Sequence, residues 1–197
     1  IGLAVWGGAA LSATAAIDPP VASLAGAGDV VLAGEDVTFS VSLGNDAPAD
    51  GFNIGFTVLL PNGVAFESSP MGTPVVYASE ATLPNSATTP SLATVPAGFQ
   101  LWVFEDVADL PMGAEYASTV TVRPDAALFP VGAALHAVLT GYVSSDPALR
   151  PIFDGSTGAG GAAGLAATSS DASAADVELQ ALRVTKSEPS AEDELLR

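Results

Sequence analysis

No cysteine occurs among the 197 residues, which excludes a disulfide framework, thiolate metal sites and a thiol nucleophile. Cations are almost as scarce: five Lys and Arg, with Lys186 the single lysine, face 22 Asp and Glu, for a formal net charge of -17. So acidic a surface repels phosphate backbones, which nucleic-acid binders must neutralise with Lys and Arg, and it repels anionic lipid headgroups. Nucleic acid and membrane surfaces are therefore not expected partners. A soluble, self-repelling protein suited to an exposed or salty setting is. There is one histidine, His136, so any His-dependent chemistry must use it. It lies inside an alternating segment, no Gly-x-Ser-x-Gly elbow accompanies it, and no glycine-rich loop joins a strand to a helix to cradle phosphate.

What is present is apolar alternation. Hydrophobic residues make up 49% of the chain, enough to fill a sizeable core. In "VTFSVSL", Val37, Phe39, Val41 and Leu43 share one face; in "NIGFTVLL", Ile54, Phe56, Val58 and Leu60 do the same. "EYASTVTV" and "ALHAVLTGYV" repeat the pattern with Tyr116, Val120 and Val122, and with Leu135, Ala137, Leu139 and Val143. Shorter candidates are Val30–Leu32, Pro74–Ala78, Phe99–Glu105 and Val177–Val184. Turn-rich segments such as "GNDAPADG", "PNG" and "RPDAALFP" separate them, and no central window sustains a helical period. About eight strands so spaced predict an all-β, immunoglobulin-like antiparallel β-sandwich.

The ends differ in character. Residues 1–16, "IGLAVWGGAALSATAA", are small, apolar and uncharged, like the core and cleavage zone of a secretory signal. No initiator methionine or basic n-region precedes them, as expected of a fragment; the alternative is an apolar strand followed by a linker. Residues 17–27 are expected to be linker and 28–184 the sandwich, with Asp154 to Asp176, rich in Gly, Ala and Ser, as a flexible excursion.

The segment "GEDVTFSVSLGNDAPADGFNIGFTVLLPNGVAFESS" resembles the DUF11, or conserved-repeat, domain of prokaryotic cell-surface proteins. The matching residues are Gly34, Glu35, Phe39, Asn45, Leu60, Pro61, Gly63 and Phe66. "TVTVRPDAALFPVGAALHAVLTGYVSSDP" looks like that family's last strands, with His136 in place of an Asn, and "VELQALRVTKS" is similar to the opening of a further repeat. The resemblance implies an adhesin-type or stalk module of a secreted or cell-surface protein, with 185–197 starting a truncated next repeat. In isopeptide-forming relatives the lysine of such an opening attacks an Asn or Asp of the last strand. Lys186 matches that position for the next repeat, whereas the present domain opens without a lysine.

Three groups of side chains are candidates for chemistry. Asp46 and Asp50, Asp106 and Asp109 (beside Glu105), and Asp146 and Asp154 could supply oxygens to calcium, the one cation considered; no cofactor is otherwise expected. None of these stretches has EF-hand spacing, and the alternative is a solvated acidic surface. Trp102, with Tyr77, could stack on a sugar ring, or Trp102 could fill the core. Lys186 is the third candidate, the alternative being an ordinary solvated strand lysine. Overall the chain is expected to be a non-enzymatic structural or adhesive module whose partners are further repeats of the same polypeptide. The alternatives are a glycan- or protein-binding tip domain, and a self-assembling surface-layer or filament subunit whose edge strands pair.

Overall fold

The computed structural model describes residues 21–26, 31–83, 94–144, 147, 167–169 and 173–180. Asp146, Asp154, Lys186, the signal-like residues 1–16 and the repeat opening at 185–197 lie outside them.

The alternating segments form strands because each presents one apolar face that only another sheet can bury. In chain order the strands are β1 (Val21–Gly26), β2 (Val31–Leu32), β3 (Val37–Gly44), β4 (Gly51–Pro61), β5 (Val64–Ser68) and β6 (Val75–Tyr77). They continue with β7 (Phe99–Leu110), β8 (Glu115–Pro124), β9 (Ala134–Ser144), β10 (Ala167–Ser169) and β11 (Ser173–Gln180). One sheet has the order β1-β3-β8-β5; the other runs β2-β11-β9-β4-β7-β6, with β10 also on β9. The sandwich fold read from the sequence is therefore the fold observed. It is antiparallel except where β2 and β11 run parallel, Leu179 opposite Val31 and Gln180 opposite Leu32.

Two expectations are corrected. Part of the stretch assigned to linker, Val21–Gly26, is an edge strand paired along its length with β3, from Val21↔Gly44 to Gly26↔Phe39. Its small residues carry little strand signal, so the pairing is decided by β3. The excursion expected over 154–176 contains β10 and the first half of β11, both laddered to β9.

The predicted apolar faces meet between the sheets. Val37, Phe39, Leu43, Ile54, Phe56, Leu60, Val120, Val122, Leu135 and Leu139 are all fully buried there. Gly141 lets the sheets approach, because a Cβ at that position would overlap the side chain of Leu43. Ser118 shares the inward face of β8 with Val120 and Val122, opposite Val41, and its Oγ is buried without a partner. Ser118→Ala removes that desolvated hydroxyl and should stabilise the fold by about 1 kcal/mol. In a chain of this size that raises the thermal midpoint by about 2–4 °C, and a lower midpoint would contradict the assignment.

A second apolar cluster lies on the outer face of the larger sheet. Leu101 and Val103 of β7 and Tyr142 of β9 are covered there by Leu83 and Val95. Glu80 N–H to Val95 O, Val95 N–H to Ala81 O and the Thr82↔Thr94 bridge hold the covering strands together. Burial raises the Tyr142 phenol above its ordinary value, opposed by a hydrogen bond with Thr57.

The register also gives the molecule an axis. Gly44, Gly51, Leu110, Glu115 and Ser144 lie at one end; Val37, Pro61, Val64, Phe99, Pro124 and Ala134 lie at the other. β1 enters at the first end, where Val21 faces Gly44. β11 leaves at the second, where Ala33 N–H bonds Gln180 O and Gly132 N–H bonds Leu179 O.

Candidate functional site

At the end where β1 enters, Asn45 organises the loops. It is 2% exposed, and its amide donates to Leu110 O (2.8 Å) and Ala49 O (3.0 Å) while Oδ1 accepts from Ala47 N–H (3.1 Å). Its backbone pins the β7–β8 turn: Gly113 N–H donates to Asn45 O at 2.8 Å and Asn45 N–H to Ala114 O at 3.0 Å. Gly113 has φ 72°, which suits glycine in this tight turn, and the turn closes with Ala114 N–H on Pro111 O. Met112 at its tip is 60% exposed.

The calcium candidates divide between this end and the neighbouring bulge. Asp50 Oδ1 accepts from Met112 N–H (3.0 Å), tying the β3–β4 loop to the β7–β8 turn, and Asp109 Oδ1 accepts from Asn53 N–H (3.1 Å) between the neighbouring strands β7 and β4. Asn53 and Asp106 both take left-handed backbone (φ 50° and 52°) where the β4–β7 register shifts, a conformation that Asn and Asp tolerate best among non-glycine residues. Asp46 and Asp106 are exposed. Among the described residues, no three acidic or histidine side chains gather as a metal cage. The measurement that checks the calcium candidates is the thermal-unfolding midpoint in excess calcium against chelator. Binding to the folded state would raise it by RT ln(1 + [L]/Kd), and a shift of several degrees would direct the search to Asp146 and Asp154.

The sugar-stacking pair is not assembled. Trp102 is 1% exposed, packs edge-on against Phe66 with centroids 5.6 Å apart, and donates Nε1–H to Gln100 Oε1 (3.1 Å). Tyr77 lies against the outer cluster, on the other face of the sheet, its phenol raised by burial and then by Glu105. Strand alternation puts Trp102 and Tyr77 on opposite sides, so the core alternative holds for Trp102. His136 faces solvent on the outer side of β9, its Nδ1 2.7 Å from Asp176 Oδ1, the residue opposite it on β11.

At the end where β11 leaves, the β2–β3 turn, the β4–β5 hairpin and the β8–β9 connection enclose an open groove of about 540 Å3. Gly34, Gly63, Ala65, Pro124 and Ala126 make its walls. Arg123, the sole Lys or Arg among the described residues, borders it and is held by Asp36 (2.8 Å) and Glu67 (3.3 Å). The hydrogen bond to Asp36, followed by the charges of Asp36 and Glu67, raises its already high pKa further. Neither this groove nor the Met112 turn was singled out from the sequence. The signal for both was turn chemistry, "PNG" and "PMG", which marks a bend without saying what the bend displays.

No protein-family model and no curated protein matches the chain. Solved structures with a similar chain path include AvmM, described as catalysing macrocyclization in alchivemycin A biosynthesis, at TM-score 0.47 and 13% identity over 85% of this chain and 92% of that one. A cohesin module of a Clostridium perfringens family 33 glycoside hydrolase gives 0.43 and 9%, covering 82% and 98%. BcpA, the major pilin subunit of Bacillus cereus, gives 0.41 and 8% over 82% of this chain, which spans 41% of the pilin. At these values the likenesses carry nothing about activity or partner.

Proposed function

We propose that the chain is a non-enzymatic structural module of a secreted or cell-surface protein, set in line between neighbouring parts of its polypeptide. One observation carries the reading: β1 enters at one end of the sandwich and β11 leaves at the other. A module so threaded adds its full length to a stalk. A pull along that axis slides β1 along β3 and β11 along β9, so several ladder bonds resist together rather than one after another. The filled core supplies rigidity, and the acidic surface keeps neighbouring molecules apart. The resemblance of Gly34 to Phe66 to surface repeats points the same way.

A second reading, a filament subunit joined through sheet edges, is favoured by β6. This edge strand of the larger sheet exposes Val75 and Val76 by 55% and 52%.

Surface placement is tested by expressing the Ala117→Cys chain in its source cell and treating intact cells with a membrane-impermeant maleimide. Ala117 is exposed on β8, and the introduced thiol is the chain's only one. Labelling of intact cells should equal that of lysed cells. Labelling only after lysis would end the surface reading.

A further inference from the structure

The turn Pro61-Asn62-Gly63 carries the chain from the larger sheet to the smaller, since β4 belongs to one and β5 to the other. The fold requires its glycine: φ is 87°, and a Cβ at that position would run into Leu128. No side chain therefore shields the peptide nitrogen that follows Asn62. Asn62 itself is exposed. Its backbone N–H donates to Gly98 O at 2.9 Å, and Gly63 O accepts from Asp125 N–H at 2.8 Å. Among the described residues no hydrogen bond engages the Asn62 side chain or the Gly63 N–H.

The other two described asparagines are placed differently. Asn45 is buried, and both atoms of its amide are bonded, to Leu110 O, Ala49 O and Ala47 N–H. Asn53 donates Nδ2–H to Pro147 O at 2.9 Å, and the residue after it, Ile54, is β-branched and fully buried. Of the three, Asn62 alone sets an unheld carboxamide beside an unhindered and unbonded backbone nitrogen.

We propose that Asn62 is a site of spontaneous covalent modification, a deamidation through a cyclic imide with water as the co-reactant. Gly63 N gives up its proton to solvent base and forms a bond to Asn62 Cγ. The Cγ–Nδ2 bond breaks, and the nitrogen leaves as ammonia. Water then opens the ring at one carbonyl or the other, giving aspartate or isoaspartate; nothing is oxidised or reduced. Attacking and attacked atoms sit in adjacent residues, so the first step is unimolecular.

The position of the bonds gives the reaction a structural consequence. Isoaspartate routes the main chain through the side-chain methylene and so adds one carbon between Asn62 N and Gly63 O, the atoms tied to Gly98 and Asp125. Gln100 Nε2 spans the same turn, donating to Pro61 O (3.4 Å) and Val64 O (2.7 Å). A lengthened turn cannot keep all of these tethers, and the crossing between the sheets loosens. Both products also add a carboxylate to an end that already carries Glu35, Asp36, Glu67 and Asp125. The modified fraction thus grows with the age of the module, and its stability declines.

The test ages the full folded chain at mildly alkaline pH in water enriched in heavy oxygen, and locates the products by peptide mapping with tandem mass spectrometry. Asn62 should be lost about tenfold or more faster than Asn45, which must first break buried hydrogen bonds, and faster than Asn53. The product should carry heavy oxygen and consist partly of isoaspartate. The thermal midpoint of the aged chain should fall by at least about 2–4 °C. Asn62→Ser keeps the backbone tethers and removes the carboxamide, so its midpoint should not change with age; circular dichroism verifies that it is folded. An Asn62 that stays intact in the folded chain would overturn the proposal, as would equal loss at Asn45, Asn53 and Asn62. Isoaspartate at Asn62 with an unchanged midpoint would overturn the loosening of the crossing.

Discussion

Asn45→Ala should lower the stability of the fold by about 3–5 kcal/mol, because it strands more than one buried group at once. Leu110 O would lose its 2.8 Å donor and Ala47 N–H its 3.1 Å acceptor, both buried, and Ala49 O would lose a partner at partial depth. A buried unsatisfied group costs about 1–3 kcal/mol, so two of them outweigh the gain from removing a polar side chain. Urea unfolding is the measurement, with the midpoint falling and the slope unchanged. Asn45→Asp separates the roles of the two amide atoms. It keeps the acceptor for Ala47 N–H but sets a carboxylate against two carbonyls, which favours the protonated form and raises the folded-state pKa above the unfolded value of about 3.9. Such a group stabilises below the unfolded pKa and loses that contribution as pH rises through the folded one, so the variant should be markedly less stable at pH 7 than at pH 4. A midpoint for Asn45→Ala within error of the parent would show that water or loop movement replaces the bonds. The same change should loosen the Met112 turn, which hangs on the Asn45 backbone.

The alternating strands were legible because they report a local geometry. Val37, Phe39, Val41 and Leu43, and Ile54, Phe56, Val58 and Leu60, point inward as their period-2 spacing requires. Features that depend on distant pairing were not legible. β1 is built from "VASLAG", whose small residues suit a linker as well as a strand, and its place comes from its register with β3. The parallel β2–β11 pair joins Val31 to Leu179, which no local pattern announces. Leu101 to Phe104 showed an unbroken apolar run, consistent with burial on both faces, but Leu83 and Val95, which bury the outer one, lie in weakly patterned chain. Asp46 and Asp50 were legible as loop residues, whereas Asp106 and Asp109 lie in β7 beside its irregular pairing with β4. Whether they converge depends on distant chain paths, and the described ones serve separate places: Asp50 bonds the Met112 turn, while Asp109 bonds Asn53 across the irregular β4–β7 ladder.

Trp102→Ala should destabilise the fold by about 3–5 kcal/mol, the range for removing a buried aromatic, and the damage should fall unevenly. Trp102 belongs to β7 in one sheet and meets Phe66 of β5 in the other at an interplanar angle of 81°, with Phe66 also 6.3 Å from Phe104. Edge-to-face pairs of this kind add about 0.5–1.5 kcal/mol beyond buried area. Among the described residues β5 is the outer strand of its sheet, laddered only to β8, so this aromatic contact is a main tie between β5 and the other sheet. Hydrogen exchange should consequently show amides of Val64–Ser68 losing protection before those of β11, which is fastened on both sides by β9 and β2. Trp102→Phe retains most of the apolar volume and gives up the bond to Gln100, whose own amide still reaches Val64 O at 2.7 Å; its cost should be well under half that of alanine. A sugar-stacking tryptophan predicts the reverse pattern, with little loss of stability, quenching by small solutes in the free protein and protection on adding glycan. Trp102 should resist acrylamide quenching until the chain unfolds, and ready quenching in the folded Trp6→Phe chain, where Trp102 is the sole tryptophan, would return it to the surface.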